Sequence, residues 1–198
     1  MRFNIKLYQV LMCTAFTLAA CAASAINSNN SSNTASINRS DSETDAPSLK
    51  KYFPQQVGKF KLDTANMSDE ESKSMRRSWV SLFAATDFAR GVYLVPNPQA
   101  QNLSEAVESA VLLTVASFPS SERANSTVAS LANVLEGRGY TIERKRLRKD
   151  GGREAEMTLA MSRDADDWAV IWSRGAMVFQ VQAPKKENVL DFAQSFPY

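Results

Sequence analysis

Apolar and polar positions follow two periods along the chain, and the switches between them mark the elements. Val57-Gly58-Lys59-Phe60-Lys61-Leu62 alternates with period two, as a half-buried strand does. Ser68 to Arg77 is polar and opens on the capping-box pair Ser68 and Glu71, which predicts a short helix or an ordered loop. Trp79 to Pro96 reads as two strands meeting at Arg90-Gly91, where glycine supplies the positive φ of a tight turn. Asn97 to Asn102, with Pro98, reads as a loop. A helical turn at Ser104 leads into Ala110 to Phe118, an apolar, β-branched run expected to be a buried strand.

Period 3.6 takes over after Pro119-Ser120-Ser121-Glu122. Ala124, Val128, Leu131 and Leu135 recur at i, i+4, i+7 and i+11, the stripe of a helix facing a core, and Gly137 and Gly139 end it. Tyr140 to Arg148 and Glu154 to Ser162 then predict a hairpin around Asp150-Gly151-Gly152. Trp168 to Ala183 predicts a second hairpin turning at Arg174-Gly175. A two-residue loop there pairs Trp172 with Met177, Val170 with Phe179 and Trp168 with Val181, all six on one face. A last helix, Lys185 to Phe196, points Val189, Phe192 and Phe196 inward. Strands, helix, four strands and helix make an α+β fold: an antiparallel sheet with helices packed on one face. The repeated Arg-Gly of Phe88-Ala89-Arg90-Gly91 and Trp172-Ser173-Arg174-Gly175 hints at a duplicated unit.

The first 46 residues have a different pattern. Arg2 and Lys6 precede a mostly apolar run from Leu7 to Ala20, the make-up of a secretory signal peptide. That run is shorter than the roughly 20 apolar residues a transmembrane helix needs. It ends in Leu18-Ala19-Ala20-Cys21, which resembles the lipobox of bacterial lipoproteins at every position. The resemblance implies cleavage before Cys21 and a diacylglycerol on its sulfur. Two or more acyl chains hold a protein stably on a membrane where one does not. Ala22 rather than Asp after the cysteine implies the outer membrane where the envelope has two. Residues 21–46 are rich in Asn, Ser and Thr and lack aromatics, so they read as a disordered tether with an r.m.s. reach of about 25–30 Å. The expected organisation is a signal peptide at 1–20, the lipidated N-terminus and tether at 21–46, and a single compact α+β domain at 47–198.

Composition narrows the chemistry. The chain has no histidine and two cysteines, Cys13 and Cys21. The first leaves with the signal peptide and the second carries lipid, so the domain has neither thiol nor disulfide. Ser-His-Asp and Cys-His catalysis and histidine metal sites are excluded, and neither a metal nor a cofactor is expected. The domain must be held by its core, which about 150 residues can supply by burying close to 70% of their unfolded surface. Without Arg2 and Lys6, the basic residues balance the 21 acidic ones, and no global field draws the protein to nucleic acid.

Four constellations suggest chemistry. Ser48-Leu49-Lys50-Lys51 has the S-x-x-K spacing of penicillin-binding enzymes without their companion motifs. Asp164-Ala165-Asp166-Asp167 offers carboxylates, but Ala169 and Gly175 stand where a calcium loop needs Gly and Glu, so it reads as a solvated turn. Trp79, Phe83, Trp168, Trp172 and Phe179 could line a groove, but their alternation favours core packing. Arg144, Arg146 and Arg148 share one strand face within the densest basic stretch, which includes Arg138, Lys145, Lys149 and Arg153. They could contact an anionic surface. Glu143, Asp150, Glu154 and Glu156 stand close by and favour a charged edge strand instead.

The functional expectation is a membrane-anchored envelope lipoprotein, more a binding or scaffolding protein than an enzyme. It would meet the membrane through lipid at Cys21 and an envelope protein or anionic lipid through its domain. The alternative is an enzyme acting on cell-wall or surface glycans through paired Asp and Glu, although no spacing in the chain selects a pair.

Overall fold

Two strands with apolar residues on both faces sit at the centre of the molecule, and the rest of the architecture follows from covering them. The computed structural model describes residues 49–66, 70–96, 109–148, 154–161 and 167–198. In chain order these form a 3-10 turn (Leu49–Tyr52), β1 (Gln56–Val57), β2 (Phe60–Asn66), α1 (Glu70–Phe83), β3 (Asp87–Leu94) and β4 (Val111–Ser117). There follow α2 (Ser121–Gly137), β5 (Thr141–Arg148), β6 (Glu154–Met161), β7 (Trp168–Arg174), β8 (Met177–Ala183) and α3 (Lys186–Ser195). The strands form one eight-stranded sheet in the order β1-β2-β3-β4-β8-β7-β6-β5, with every neighbouring pair antiparallel. The fold is α+β, as expected, and the described residues belong to one compact unit, Pro47–Tyr198.

β4 is buried from Val111 to Ala116, and β8 from Val178 to Ala183. A strand buried on both faces needs cover on both, and the helices divide accordingly. Val111, Leu113 and Val115 join Val170, Trp172, Phe179 and Val181 in a core closed by Leu49, Phe53 and the Val189, Phe192 and Ala193 stripe of α3. Ala116, Ala169, Ile171 and Val178 face the other way, onto Trp79 of α1 and Ala124, Leu131 and Leu135 of α2. The expectation that helices occupy one face is therefore corrected. Two lie on one side of the sheet and the third on the other, because the central strands leave no face for solvent.

Several elements match their sequence signals closely. α2 starts where Ser120 accepts a hydrogen bond from the Arg123 amide at 3.1 Å, satisfying one of the orphan donors of a helix start. It ends at Gly137, with Gly139 at φ +85° and the Tyr140 amide returning to the Leu135 carbonyl at 3.0 Å. Val189, Phe192 and Phe196 are fully buried, as their spacing predicts.

Four expectations are corrected. Val57 to Leu62 is not one strand: Gly58, at φ +54°, turns the chain so that Val57 pairs with Phe60. α1 runs on through Trp79 to Phe83 instead of giving way to a strand, because Met75, Trp79 and Phe83 recur every fourth residue against the same core. It stops at Ala84, which takes φ +57° while the amides of Ala84 and Ala85 reach the Val80 and Trp79 carbonyls.

Arg90-Gly91 is no turn. It lies in the middle of β3, which pairs with β4 without interruption from Asp87↔Ser117 to Tyr93↔Val111. Gly91 is glycine for a different reason: a Cβ there would lie 2.6 Å from the Phe53 ring. The Arg90-Gly91 resemblance to Arg174-Gly175 thus joins a strand centre to a hairpin end, and the duplicated unit is not present.

The β7–β8 hairpin turns one residue later than expected, at Gly175-Ala176. Trp172 pairs with Phe179, Val170 with Val181, Trp168 with Ala183 and Arg174 with Met177. A one-residue move of a two-residue loop shifts every partner by two, so the expected burial face is preserved while the pairing is not. Gly175 is the first loop residue and has φ +58°, the position a type II′ turn reserves for glycine. Cys21, the tether, Ser68, residues 97–102, Ser104, residues 150–152 and Ser162 lie outside the described residues.

Candidate functional site

β5 carries the basic residues singled out in the sequence. It forms the edge of the sheet opposite β1, and Glu143, Arg144, Lys145 and Arg146 are all exposed. Its register with β6 puts Arg144 opposite Thr158, Arg146 opposite Glu156 and Arg148 opposite Glu154. On the alternate positions the Lys145 ammonium lies 3.7 Å from the Glu143 carboxylate, both well exposed. A pair so exposed contributes little to stability. Arg144 and Arg146 are thus brought together, with Arg148 as the last residue of the same strand.

What holds β5 in place is at its start. Tyr140, buried against Leu135 and Ile142 of the α2 core, donates its hydroxyl to Asp167 Oδ2 at 2.7 Å. This ties the entry of β5 to the entry of β7. Burial raises the Asp167 carboxyl above its ordinary range, and the Tyr140 hydrogen bond opposes that shift only in part. Burial also raises the Tyr140 phenol, joined by the hydrogen bond and charge of Asp167, while Arg138 pulls it down. Among the described residues Asp167 Oδ1 is buried without a hydrogen-bond partner, leaving half of this carboxylate desolvated and uncompensated. Spacing gave no signal for the pair, since 27 residues separate its members.

The remaining candidates separate. Of the Asp164–Asp167 run only Asp167 is described, and its carboxylate is engaged by Tyr140. Among the described residues no group of three or more Asp, Glu, His or Cys could hold a metal ion. Ser48 of the S-x-x-K motif lies outside the described residues, and Lys51 is exposed with its ammonium 5.0 Å from the Tyr52 ring. The aromatics pack in or against the core, as expected, but only the strand residues do so by alternation: Trp172 joins Phe179 and Phe196 on the α3 side, with Trp168 partly buried beside them, whereas Trp79 and Phe83 lie four apart on helix α1 and pack with Phe88.

One feature escaped the sequence reading altogether. Arg90, Thr114 and Gln180 are neighbours in register across β3, β4 and β8, beneath α1, where the Arg90 guanidinium reaches Met75 Sδ at 2.7 Å. Thr114 and Gln180 are 3% and 2% exposed. The available signal was Thr114 within the apolar run of β4 and Gln180 within β8.

The geometry therefore presents an exposed, charged, regular edge strand. Family models, curated proteins and solved structures were compared with this chain, and none matches it.

Proposed function

We propose that this chain is a bacterial envelope lipoprotein, held on a membrane by lipid at Cys21, whose α+β domain binds or scaffolds another envelope component. The anchor reading rests on Leu18-Ala19-Ala20-Cys21. The binding reading is carried by one observation: β5 is an eight-residue edge strand that holds Arg144 and Arg146 exposed. Exposed charge in a regular row suits recognition of an oppositely charged partner and fast, selective encounter. In a two-membrane envelope the outer membrane is the expected site.

Metabolic labelling with a palmitate analogue tests the anchor. The wild type should be labelled and Cys21→Ser should not; equal labelling of both removes the lipoprotein reading. Crosslinking from β5 in intact envelopes tests the binding edge. A defined adduct should form in the wild type and weaken when Arg144 and Arg146 are both changed to Glu.

A further inference from the structure

The two edges of the sheet are built differently. β1 is two residues long, and β2 beside it shifts register between Leu62 and Thr64. Short strands and bulges are ways of denying an edge to a foreign strand. β5 has neither device. It runs eight residues without proline, and its register with β6 is unbroken from Thr141↔Met161 to Arg148↔Glu154. Among the described residues no strand lies on its outer side. Its outward backbone donors and acceptors therefore form a straight template for one more strand.

The protection that remains is charge, and charge selects rather than closes. Thr141 to Arg148 contains four basic residues and one acidic one. A second copy of β5 paired to the first would set basic strand against basic strand, and like charges directly opposite are destabilising. An apolar strand would leave the row of charges without partners. A strand with carboxylates at alternate positions satisfies both the backbone and the side chains.

We propose that β5 accepts an extended acidic segment of an envelope partner as an added antiparallel strand, its alternate carboxylates lying beside Arg144 and Arg146. This rests on the reading of β5 as the binding edge and names what binds there. Register also favours a strand over a membrane surface. Glu156 and Glu154 are the register partners of Arg146 and Arg148 on β6, so the sequence across the two strands is mixed in charge and not the uniform basic face that an anionic surface favours. An added strand approaches from the open side, where β6 is absent.

The experiment uses the full chain in nonionic detergent and a fluorescent peptide of alternating acidic and β-branched residues. A second peptide keeps the acids but has proline at the alternate positions, removing the backbone donors. Vesicles of phosphatidylglycerol and phosphatidylcholine form a third arm. The first peptide should bind saturably, protect β5 amides from hydrogen exchange, and lose about tenfold or more in affinity when R144E and R146E are combined. The proline peptide should bind far more weakly. Equal binding of both peptides, or binding without protection of β5, overturns strand addition in favour of plain charge attraction. Vesicle binding through the same arginines, with no peptide binding, overturns the acidic strand but leaves β5 as the binding edge. Binding of neither overturns both, while palmitate labelling still decides the anchor separately. Circular dichroism of the double variant confirms that a loss is not unfolding.

Discussion

Trp172 stacks on Phe179 across the β7–β8 hairpin, ring centroids 5.3 Å apart and planes within 17° of parallel. The two are cross-strand partners in register, each 1% exposed, and Phe196 from the chain's last residues meets both rings edge-on. The hairpin and the C-terminal helix are therefore locked together by one aromatic cluster on the α3 side of the sheet.

Truncating that cluster should be costly. Trp172→Ala is expected to lose about 3–5 kcal/mol, the range for removing a buried large aromatic. Arg146→Ala on the exposed edge should stay within about 0.5 kcal/mol of wild type. Denaturant melts of the two variants provide the comparison, and a wild-type midpoint for Trp172→Ala would contradict the packing.

Gly91 should prove intolerant for a reason specific to its neighbour. A Cβ at that position meets the Phe53 ring at 2.6 and 2.9 Å and Leu62 at 3.3 Å. Gly91→Ala should cost about 1–3 kcal/mol through overpacking. In a background of Phe53→Ala the same change should cost much less. A double-mutant cycle showing no coupling between the two sites would refute the close approach as its cause.

Gly175 is a different kind of glycine. Nothing lies within 4 Å of a Cβ built there, but its φ is +58°. Gly175→Ala should therefore lose about 1–3 kcal/mol, the strain of a side chain held in a backbone conformation that suits glycine alone. Gly175→Asn should lose a similar amount, since both residues carry the Cβ that this backbone conformation disfavours. Thermal melts of the pair separate backbone strain from packing, because steric crowding would rank the larger Asn as worse.

Asp167 should make stability depend on pH. Its carboxyl is raised by burial above the ordinary value of 3.8, so the folded state holds that proton more tightly than the unfolded chain. The contribution is complete below 3.8 and is lost as pH rises through the higher folded value. Asp167→Asn keeps an acceptor for Tyr140 and removes the titration. Its stability relative to wild type should therefore improve as pH rises between about pH 3 and pH 7. Unfolding free energies measured across that range should diverge in that direction; a constant difference would mean the carboxylate is not desolvated. Tyr140→Phe, which deletes the donor, should cost about 1–3 kcal/mol at neutral pH by leaving the second oxygen unpartnered as well.

Local signals settled those parts of the protein whose physics is local. Ser120 begins α2 and Gly137 and Gly139 end it because caps act through adjacent backbone groups. Val111 to Ala116 was legible as a buried strand because it is a short run of apolar and β-branched residues interrupted only by Thr114. The alternation of Trp168, Val170, Trp172, Phe179 and Val181 chose their common face, and face depends only on parity. The charge of β5, and the exclusion of histidine and thiol chemistry from the domain, were also legible without a fold.

Tertiary structure decided what depends on distant residues. Parity does not distinguish a turn at Arg174-Gly175 from one at Gly175-Ala176; the backbone conformation at Gly175 and the stacking of Trp172 on Phe179 do. Trp79 continues a helix rather than starting a strand because Phe88 of the next strand and Ala116 of the more distant β4 complete its pocket. Gly91 is explained by Phe53, and Asp167 by Tyr140, partners that no short-range pattern connects. Strand order is the largest such decision. It places β4 beside β8 at the centre, which draws helices to both faces. It leaves β5 at the rim, where the same arginines that would be ruinous in the interior remain solvated and available to a partner.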